Sequence, residues 1–177
     1  MEHNWSASFS EIFYVNESSL HKLPNINNFD QFVFLANKYR NIFRNNFLNN
    51  ARVSYEDSDS FFSNLGQDKS RILYAISYKD EWIGHFGLRF LGNKNIMLDN
   101  AIRFSPKGGR TLFKDINFEL IRHLRSYLPD YNTLIIVKKG NTLSLKLHQG
   151  MGFKYCSQEY YDSLSVDSLN YFLMILD

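Results

Sequence analysis

Apolar residues recur at intervals of three and four in the first third of the chain, a spacing that places them on one face of a helix. The stripe runs through Phe29, Phe32, Val33, Ala36, Tyr39, Phe43 and Phe47. Asn28 and Gln31 stand three residues apart at its start, so a capping box is predicted to begin this helix. A shorter helix is predicted over residues 54–66. Residues 16–28 lack a regular pattern and predict a loop, and an opening strand is expected over residues 9–15.

Three segments in the middle of the chain change to a period of two, which is typical of β-strands. They cover residues 71–78, 82–90 and 96–103, and short polar turns separate them. Consecutive strands joined by such short turns predict an antiparallel meander.

The second half of the chain returns to the helical period and then alternates between the two patterns. Phe113, Ile116, Leu120, Leu124 and Tyr127 form a stripe that predicts a helix over residues 110–127. The short apolar run at residues 133–137 is typical of a buried central strand. A helix is predicted over residues 141–149, and strands are predicted over residues 153–160 and 170–176.

Composition narrows the class of protein. A chain of 177 residues with 44% hydrophobic residues is expected to form one domain, residues 1–177, with a substantial core. A net charge of +2 gives no strong field for nucleic acid or an anionic membrane. The chain has one cysteine and no apolar run long enough to cross a bilayer, so we expect a cytoplasmic protein without disulfides or membrane insertion. The histidines do not stand at metal-ligand spacing, and no metal is expected.

The loop of residues 105–111 (Ser-Pro-Lys-Gly-Gly-Arg-Thr) joins a predicted strand to a predicted helix. Gly108 and Gly109 let the backbone adopt a positive φ and approach a ligand closely. The first turn of a helix offers unpaired N–H groups and a positive dipole end. Lys107 and Arg110 add positive charge. The loop is therefore a candidate pyrophosphate site, and the alternative is a glycine-rich turn without a ligand.

Residues 141–153 carry a second motif, in which Asn141, Ser144, His148, Gly152 and Phe153 have a distinctive spacing. This spacing, the preceding glycine loop and the order of elements resemble the Gcn5-related N-acetyltransferase superfamily. The resemblance implies an α/β (α+β) fold with a mixed, mostly antiparallel sheet of about seven strands and about four helices. It also implies that strands 4 and 5 of that fold splay apart to admit acyl-coenzyme A, the expected cosubstrate.

The resemblance also assigns residues to coenzyme A. Backbone groups near Ala101, Ile102 and Arg103 would hold the thioester, and the loop residues Lys107, Gly108, Gly109, Arg110 and Thr111 would hold the pyrophosphate. Asn141 and Ser144 would contact the pantetheine arm. The chain departs from the family at two positions: Ser105 stands where Gln or Arg is usual, and His148 stands where Tyr is usual.

Three residues are candidates for proton transfer, and a fourth is a candidate for holding the acceptor. His148 can protonate the leaving thiolate or act as the base, and a surface position on its helix is the alternative. Asp99 is the leading candidate base, and His85 on the neighbouring strand is a second candidate, acting through a water. Asn100, beside Asp99, can hold the acceptor or a water. Successive strand residues face opposite sides, so Asp99 and Asn100 share one cleft only if the strand bulges.

The sequence gives the least information about which amine accepts the acyl group. Residues 99–103 resemble bacterial enzymes that acylate nucleotide-linked amino sugars for surface polysaccharides such as O-antigen or capsule, and Arg40, Arg44 and residues 138–139 suit a diphosphate. The alternatives are a protein N-terminal amine, a non-catalytic coenzyme A-binding module and a nucleotide-binding protein. A homodimer is plausible, since sheet edges often pair in this fold.

Overall fold

The computed structural model describes residues 9–109 and 111–176, and within these residues eight strands form one sheet that five helices flank. The strands are β1 (Ile12–Val15), β2 (Ser18–Lys22), β3 (Arg71–Tyr78), β4 (Glu81–Gly92), β5 (Asn95–Arg103), β6 (Asn132–Lys138), β7 (Lys154–Tyr155) and β8 (Tyr171–Leu176). The helices are α1 (Phe29–Ile42), α2 (Tyr55–Ser63), α3 (Leu112–Tyr127), α4 (Thr142–Gln149) and α5 (Gln158–Ser163).

The strand order is β1-β2-β3-β4-β5-β6-β8-β7, and every pair is antiparallel except β5 with β6. The predicted meander is confirmed as β3–β4–β5. Lys79 and Asp80 both have positive φ between β3 and β4, the geometry of a tight two-residue hairpin turn.

Both faces of the sheet are buried, because side chains that alternate along β3 point into two different core clusters. Ile72 and Tyr74 belong to a core cluster that includes the apolar stripe of α3. Leu73 and Ala75 point the other way, into a cluster with residues of α1 and α2. The period-two pattern of β3 therefore places one helical layer on each side of the sheet.

Four sequence predictions are wrong in detail. Residues 16–28, predicted as a loop, contain strand β2. This short, polar segment has no regular pattern of its own, and it forms a strand because it pairs with β3. The predicted strand 153–160 is reduced to Lys154–Tyr155, since α5 begins at Gln158. Helix α1 ends at Ile42 rather than continuing to Phe47, and Asn28 begins it in the left-handed region without a side-chain cap.

The sheet opens between β5 and β6. These parallel strands pair only at Asn95–Asn132, Ile96–Thr133 and Met97–Leu134, and beyond that point they diverge. This is the splay that the resemblance implied between strands 4 and 5, displaced by one in number because β2 adds a strand near the start. None of the helices in the described part of the chain is both long enough and apolar enough to cross a membrane.

Candidate active site

A cavity of about 850 Å³ occupies the gap between the diverging strands. Residues 97–104 of β5 and its continuation form one wall, and residues 135–138 of β6 form the other. Helices α3 and α4 contribute Phe113, Asn117, Ser144, Leu147 and His148, and the end of α1 contributes Tyr39 and Arg40. The cavity is therefore open to both helical layers, so that a long ligand can pass through the sheet.

A β-bulge shapes the wall on β5. Gly87 pairs with Asp99 and His85 pairs with Ile102, so two steps on β4 match three on β5. Asn100 absorbs the extra residue with a φ of 50°, in the left-handed region that asparagine tolerates. Because of this bulge, Asp99 and Asn100 both line the cavity, and Ala101 lies beside them.

Asp99 is the one carboxylate among the described residues that line the cavity. Its Oδ2 lies 2.8 Å from Nε of Arg71 on β3, and both side chains are largely buried. The guanidinium of Arg71 also lies 5.4 Å from the ring centre of Phe61. The ion pair holds the candidate base in place but occupies one of its oxygens.

His148 lines the opposite side of the cavity and is only 4% exposed. Its Nδ1 lies 2.7 Å from the carbonyl oxygen of Ser144, and since that oxygen can only accept, Nδ1 carries the proton. Phe153 packs edge-on against the ring at 5.5 Å. Burial lowers the pKa of His148, an effect that the Ser144 carbonyl partly offsets. The imidazole is therefore neutral near pH 7, with Nε2 as a proton acceptor, and it is not a helix-surface residue.

His85 lies outside the cavity wall, which argues against its predicted role as a base. It is 2% exposed and packs against the rings of Phe32, Phe62 and Phe104 at 5.6–6.0 Å. Burial lowers its pKa to about 3, and the backbone of Asn100 offsets this only in part. So weak a base removes no proton from an ammonium group, and the residue belongs to the aromatic core between the sheet and α1.

The buried state of His85 predicts acid-sensitive stability. Between about pH 3 and pH 6.5 the unfolded chain protonates this histidine and the folded chain does not, so the free energy of unfolding falls as the pH falls. At pH 5 this loss is about 2 kcal/mol. We expect His85→Phe to lose about that much less stability than the wild type between pH 7.5 and pH 5 in urea unfolding. Parallel losses in the two proteins would contradict this assignment.

The glycine loop is organised by the side chain of Arg103. Its Nε donates to the carbonyl of Ser105 at 2.7 Å, and Nη2 donates to the carbonyls of Pro106, Lys107 and Gly109 at 2.7–3.0 Å. The guanidinium also lies 5.4 Å from the ring centre of Phe113 on α3. Arg103 thus gathers the loop's carbonyl oxygens around one positive charge.

Both loop glycines have the positive φ that the sequence predicted, 80° for Gly108 and 82° for Gly109. A Cβ on Gly108 would lie 2.3 Å from Leu112, whereas no described atom lies within 4 Å of the corresponding position on Gly109. Lys107 forms an ion pair with Glu81, and Thr111 begins α3 without a side-chain cap. Arg110 lies outside the described residues. Ser105 and Pro106 line the central cavity, whereas none of the described residues from Lys107 to Thr111 does, so the loop begins at the edge of the cavity and leads away from it.

Asn141 and Ser144 line the cavity, but some of their hydrogen-bonding groups are already used within α4. Oδ1 of Asn141 accepts a hydrogen bond from the backbone N–H of Ser144 at 3.2 Å and so caps the helix. The amide nitrogen of Asn141 and the Ser144 hydroxyl complete the polar edge at the start of α4.

The sequence assigned no role in the site to three residues: Arg71, Arg89 and Asn117. All three line the cavity. Arg71 and Arg89 face each other across the β3–β4 ladder. The signal in the sequence that could have pointed to them was an arginine in each of two strands that were predicted to pair. Asn117 was detectable as an amide inside the apolar stripe of α3. Among the described residues no cluster of three or more potential metal ligands occurs.

The sequence matches no family model and no curated protein. Solved structures with the same architecture are acetyltransferases. The N-acetyltransferase PseH of Campylobacter jejuni, in complex with acetyl-coenzyme A, is 18% identical with a TM-score of 0.65, over 90% of this chain and 98% of that one. RimL, a ribosomal α-N-protein acetyltransferase in complex with coenzyme A, is 14% identical with a TM-score of 0.72, over 94% and 97%.

A third similar structure is the microcin self-immunity acetyltransferase MccE, in complex with acetyl-coenzyme A and AMP. It is 15% identical with a TM-score of 0.69, over 92% of this chain and 93% of that one. The chain has the fold of the Gcn5-related N-acetyltransferases, a mixed α/β sheet that is mostly antiparallel and opens at its one parallel pair. The fold that the resemblance implied is confirmed, with eight strands and five helices in the described residues.

Proposed function

We propose that this protein is an N-acyltransferase that moves an acyl group from acyl-coenzyme A to a primary amine. The observation that carries the proposal is the splayed cavity, which has the start of the glycine loop at its edge and His148 in its wall. The cavity would hold the pantetheine arm and the thioester. The loop amides and the first turn of α3 would hold the pyrophosphate. Solved structures of this fold with acetyl-coenzyme A or coenzyme A support the cosubstrate.

The residues of the cavity suit the proton transfers of this reaction. As the amine attacks the thioester carbonyl, negative charge on its oxygen would be stabilised by a backbone N–H at the bulge near Ala101 or Ile102. Nε2 of neutral His148 would take the proton that the attacking nitrogen loses. The resulting imidazolium would return that proton to the thiolate as the carbon–sulfur bond breaks. Asp99, held by Arg71, would orient the amine and is the alternative base.

For the acceptor we propose a nucleotide-linked amino sugar. Arg40, Arg71, Arg89 and Lys138 line the cavity with a single carboxylate, a balance that favours an anionic acceptor. Aromatic rings stand beside these charges: Tyr39 stacks on Phe104 at 5.5 Å, and the Arg40 guanidinium lies 4.3 Å from the ring centre of Phe47. Cationic side chains suit the diphosphate of a nucleotide sugar, and aromatic rings suit stacking with its nucleobase. AMP in the MccE complex supports nucleotide binding in this fold.

The test is an acceptor screen that detects free thiol. Purified protein is incubated with acetyl-coenzyme A or 3-hydroxybutyryl-coenzyme A and with nucleotide-linked amino sugars, free amino sugars or N-terminal peptides. We expect turnover with a nucleotide-linked amino sugar and at least about tenfold lower kcat/KM with the sugar lacking its carrier, since the diphosphate contacts are then lost. Turnover of peptides alone would make the protein an N-terminal acetyltransferase. Coenzyme A binding without turnover of any amine would indicate a binding module.

A further inference from the structure

Asn117 is a buried polar residue in an apolar part of the cofactor cavity. It lies on α3 with 1% of its surface exposed, and its helix neighbours Ile116, Leu120 and Ile121 are all buried. It lines the cavity together with Phe86 of β4 and Ile135 of β6. An apolar side chain at this position would continue the stripe of α3, so the amide needs an explanation other than packing.

The hydrogen bonds of Asn117 fix the orientation of its amide. The nitrogen Nδ2 donates to the backbone carbonyl of Phe113 one turn earlier, and a carbonyl can only accept, so the nitrogen and oxygen cannot be exchanged. The oxygen Oδ1 is buried and has no hydrogen-bond partner among the described residues. Buried amide oxygens are rarely left unpaired, because the hydrogen bonds to water that they lose on folding are not replaced. Three other buried atoms without a hydrogen bond belong to cavity-lining residues, Arg40, Arg71 and Asp99, but all three are charged, and Nε of Arg71 and Oδ2 of Asp99 form an ion pair with each other. Among the described residues that line the cavity, Asn117 is therefore the one neutral side chain with a buried unpaired atom.

We propose that Oδ1 of Asn117 accepts a hydrogen bond from an N–H or O–H donor on the thioester-bearing arm of the bound acyl-coenzyme A. This inference rests on the proposed function. The pantetheine arm carries two amide N–H groups, and a hydroxyacyl chain adds an O–H group. Either donor would satisfy the oxygen on binding. Asn117 is then a positioning residue that fixes how far the arm enters the gap between β5 and β6.

The test is calorimetric binding to the wild type, Asn117→Leu and Asn117→Ala. Leucine has nearly the shape of asparagine and lacks the acceptor, and alanine lacks it while leaving space. The ligands are coenzyme A, acetyl-coenzyme A, 3-hydroxybutyryl-coenzyme A and 3′-phospho-ADP, which has the nucleotide without the arm. Ile121→Val is a matched control, since Ile121 is buried on the same helix but does not line the cavity. Melting temperatures show that each variant is folded.

We expect both Asn117 variants to bind 3-hydroxybutyryl-coenzyme A, which carries both kinds of donor, about tenfold more weakly, with an unchanged Kd for 3′-phospho-ADP. Weaker binding of all three arm-bearing ligands would identify a pantetheine amide as the donor, and weaker binding of the hydroxyacyl ligand alone would identify the acyl hydroxyl. Equal Kd values for every ligand in the wild type and in folded variants would overturn the inference. A wild type that binds none of the four ligands would overturn the proposed function itself.

Discussion

The His148→Ala variant is expected to lose about 10²–10³-fold in kcat, the usual contribution of one positioned acid–base group. The Kd for coenzyme A should change by less than about threefold, because the imidazole is needed for proton transfer rather than for holding the nucleotide. The measurement is steady-state turnover with the best acceptor from the screen, together with calorimetric binding of coenzyme A. The expected split between kcat and binding follows from the place of His148 in the wall of the cavity that would hold the thioester, because none of the described residues from Lys107 to Thr111, which would hold the pyrophosphate, lines that cavity.

A matched control is His123→Ala. His123 packs against Phe9, Phe13 and Tyr127 and does not line the cavity, so its removal should leave kcat within about twofold of the wild type. His148→Tyr should recover part of the lost rate, since a phenol can protonate the thiolate. A larger fall in Asp99→Asn than in His148→Ala would transfer the role of base to Asp99.

The dependence of activity on pH gives a second test of His148 as the group that transfers the proton. Burial lowers the pKa of His148, so its imidazole stays neutral at pH values where an exposed histidine is half protonated. Activity should therefore fall as the pH drops through that lowered pKa, below the ordinary value of about 6.5. In His148→Tyr this acid limb should be absent. An acid limb that persists there would belong to another group.

The Arg103→Met variant is expected to bind coenzyme A about 10–100-fold more weakly, since hydrogen bonds from a charged donor contribute about 1.5–3 kcal/mol each. Arg103 donates to the carbonyls of Ser105, Pro106, Lys107 and Gly109. With these oxygens drawn to the guanidinium, the loop has a fixed conformation before the pyrophosphate arrives. Methionine replaces the aliphatic part of the arginine side chain but donates no hydrogen bond. The loop would then have to be ordered when the ligand binds, at the expense of binding energy.

Two further variants distinguish the loss of these loop hydrogen bonds from a general loss of positive charge or of folding. Arg103→Lys should also bind weakly, because one ammonium group does not span four carbonyls. Arg89→Met removes a cavity-lining arginine that makes no such contacts with the loop and should leave the Kd for coenzyme A nearly unchanged. Binding of 3′-phospho-ADP should weaken along with that of coenzyme A, which distinguishes Arg103 from Asn117. Unchanged affinity in a folded Arg103→Met protein would show that the loop holds its shape without the side chain.

Arg103 also bears on the departure of this chain from the usual glycine-loop motif. Ser105 stands where a longer polar side chain is expected, and the structure places the Arg103 side chain over the same loop from the end of β5. The loop is thus held from its strand side, and apart from the chain neighbours of Gly109 no described atom lies within 4 Å of the position that a Cβ on Gly109 would take. This arrangement explains how the loop remains a candidate pyrophosphate site despite the short side chain of Ser105.

Much of the architecture follows from local patterns in the sequence. The meander of β3, β4 and β5 was predicted because two-residue periods and tight turns are properties of adjacent residues. Helices α3 and α4 were predicted from apolar stripes and from a motif in which Asn141, Ser144 and His148 share one edge. The positive φ of Gly108 and Gly109 was likewise expected from residue type alone.

The tertiary structure decided what the candidate residues do. His85 and His148 are both buried histidines, but one lies in an aromatic core and the other lines the cavity, a difference set by strand pairing and helix packing. Arg71 and Asp99 are 28 positions apart (99 − 71) and meet only because β4 lies between β3 and β5. The bulge at Asn100 and the divergence of β5 from β6 are likewise long-range. A linear sequence records which groups are present, whereas distance, burial and protonation depend on which strands come to lie side by side.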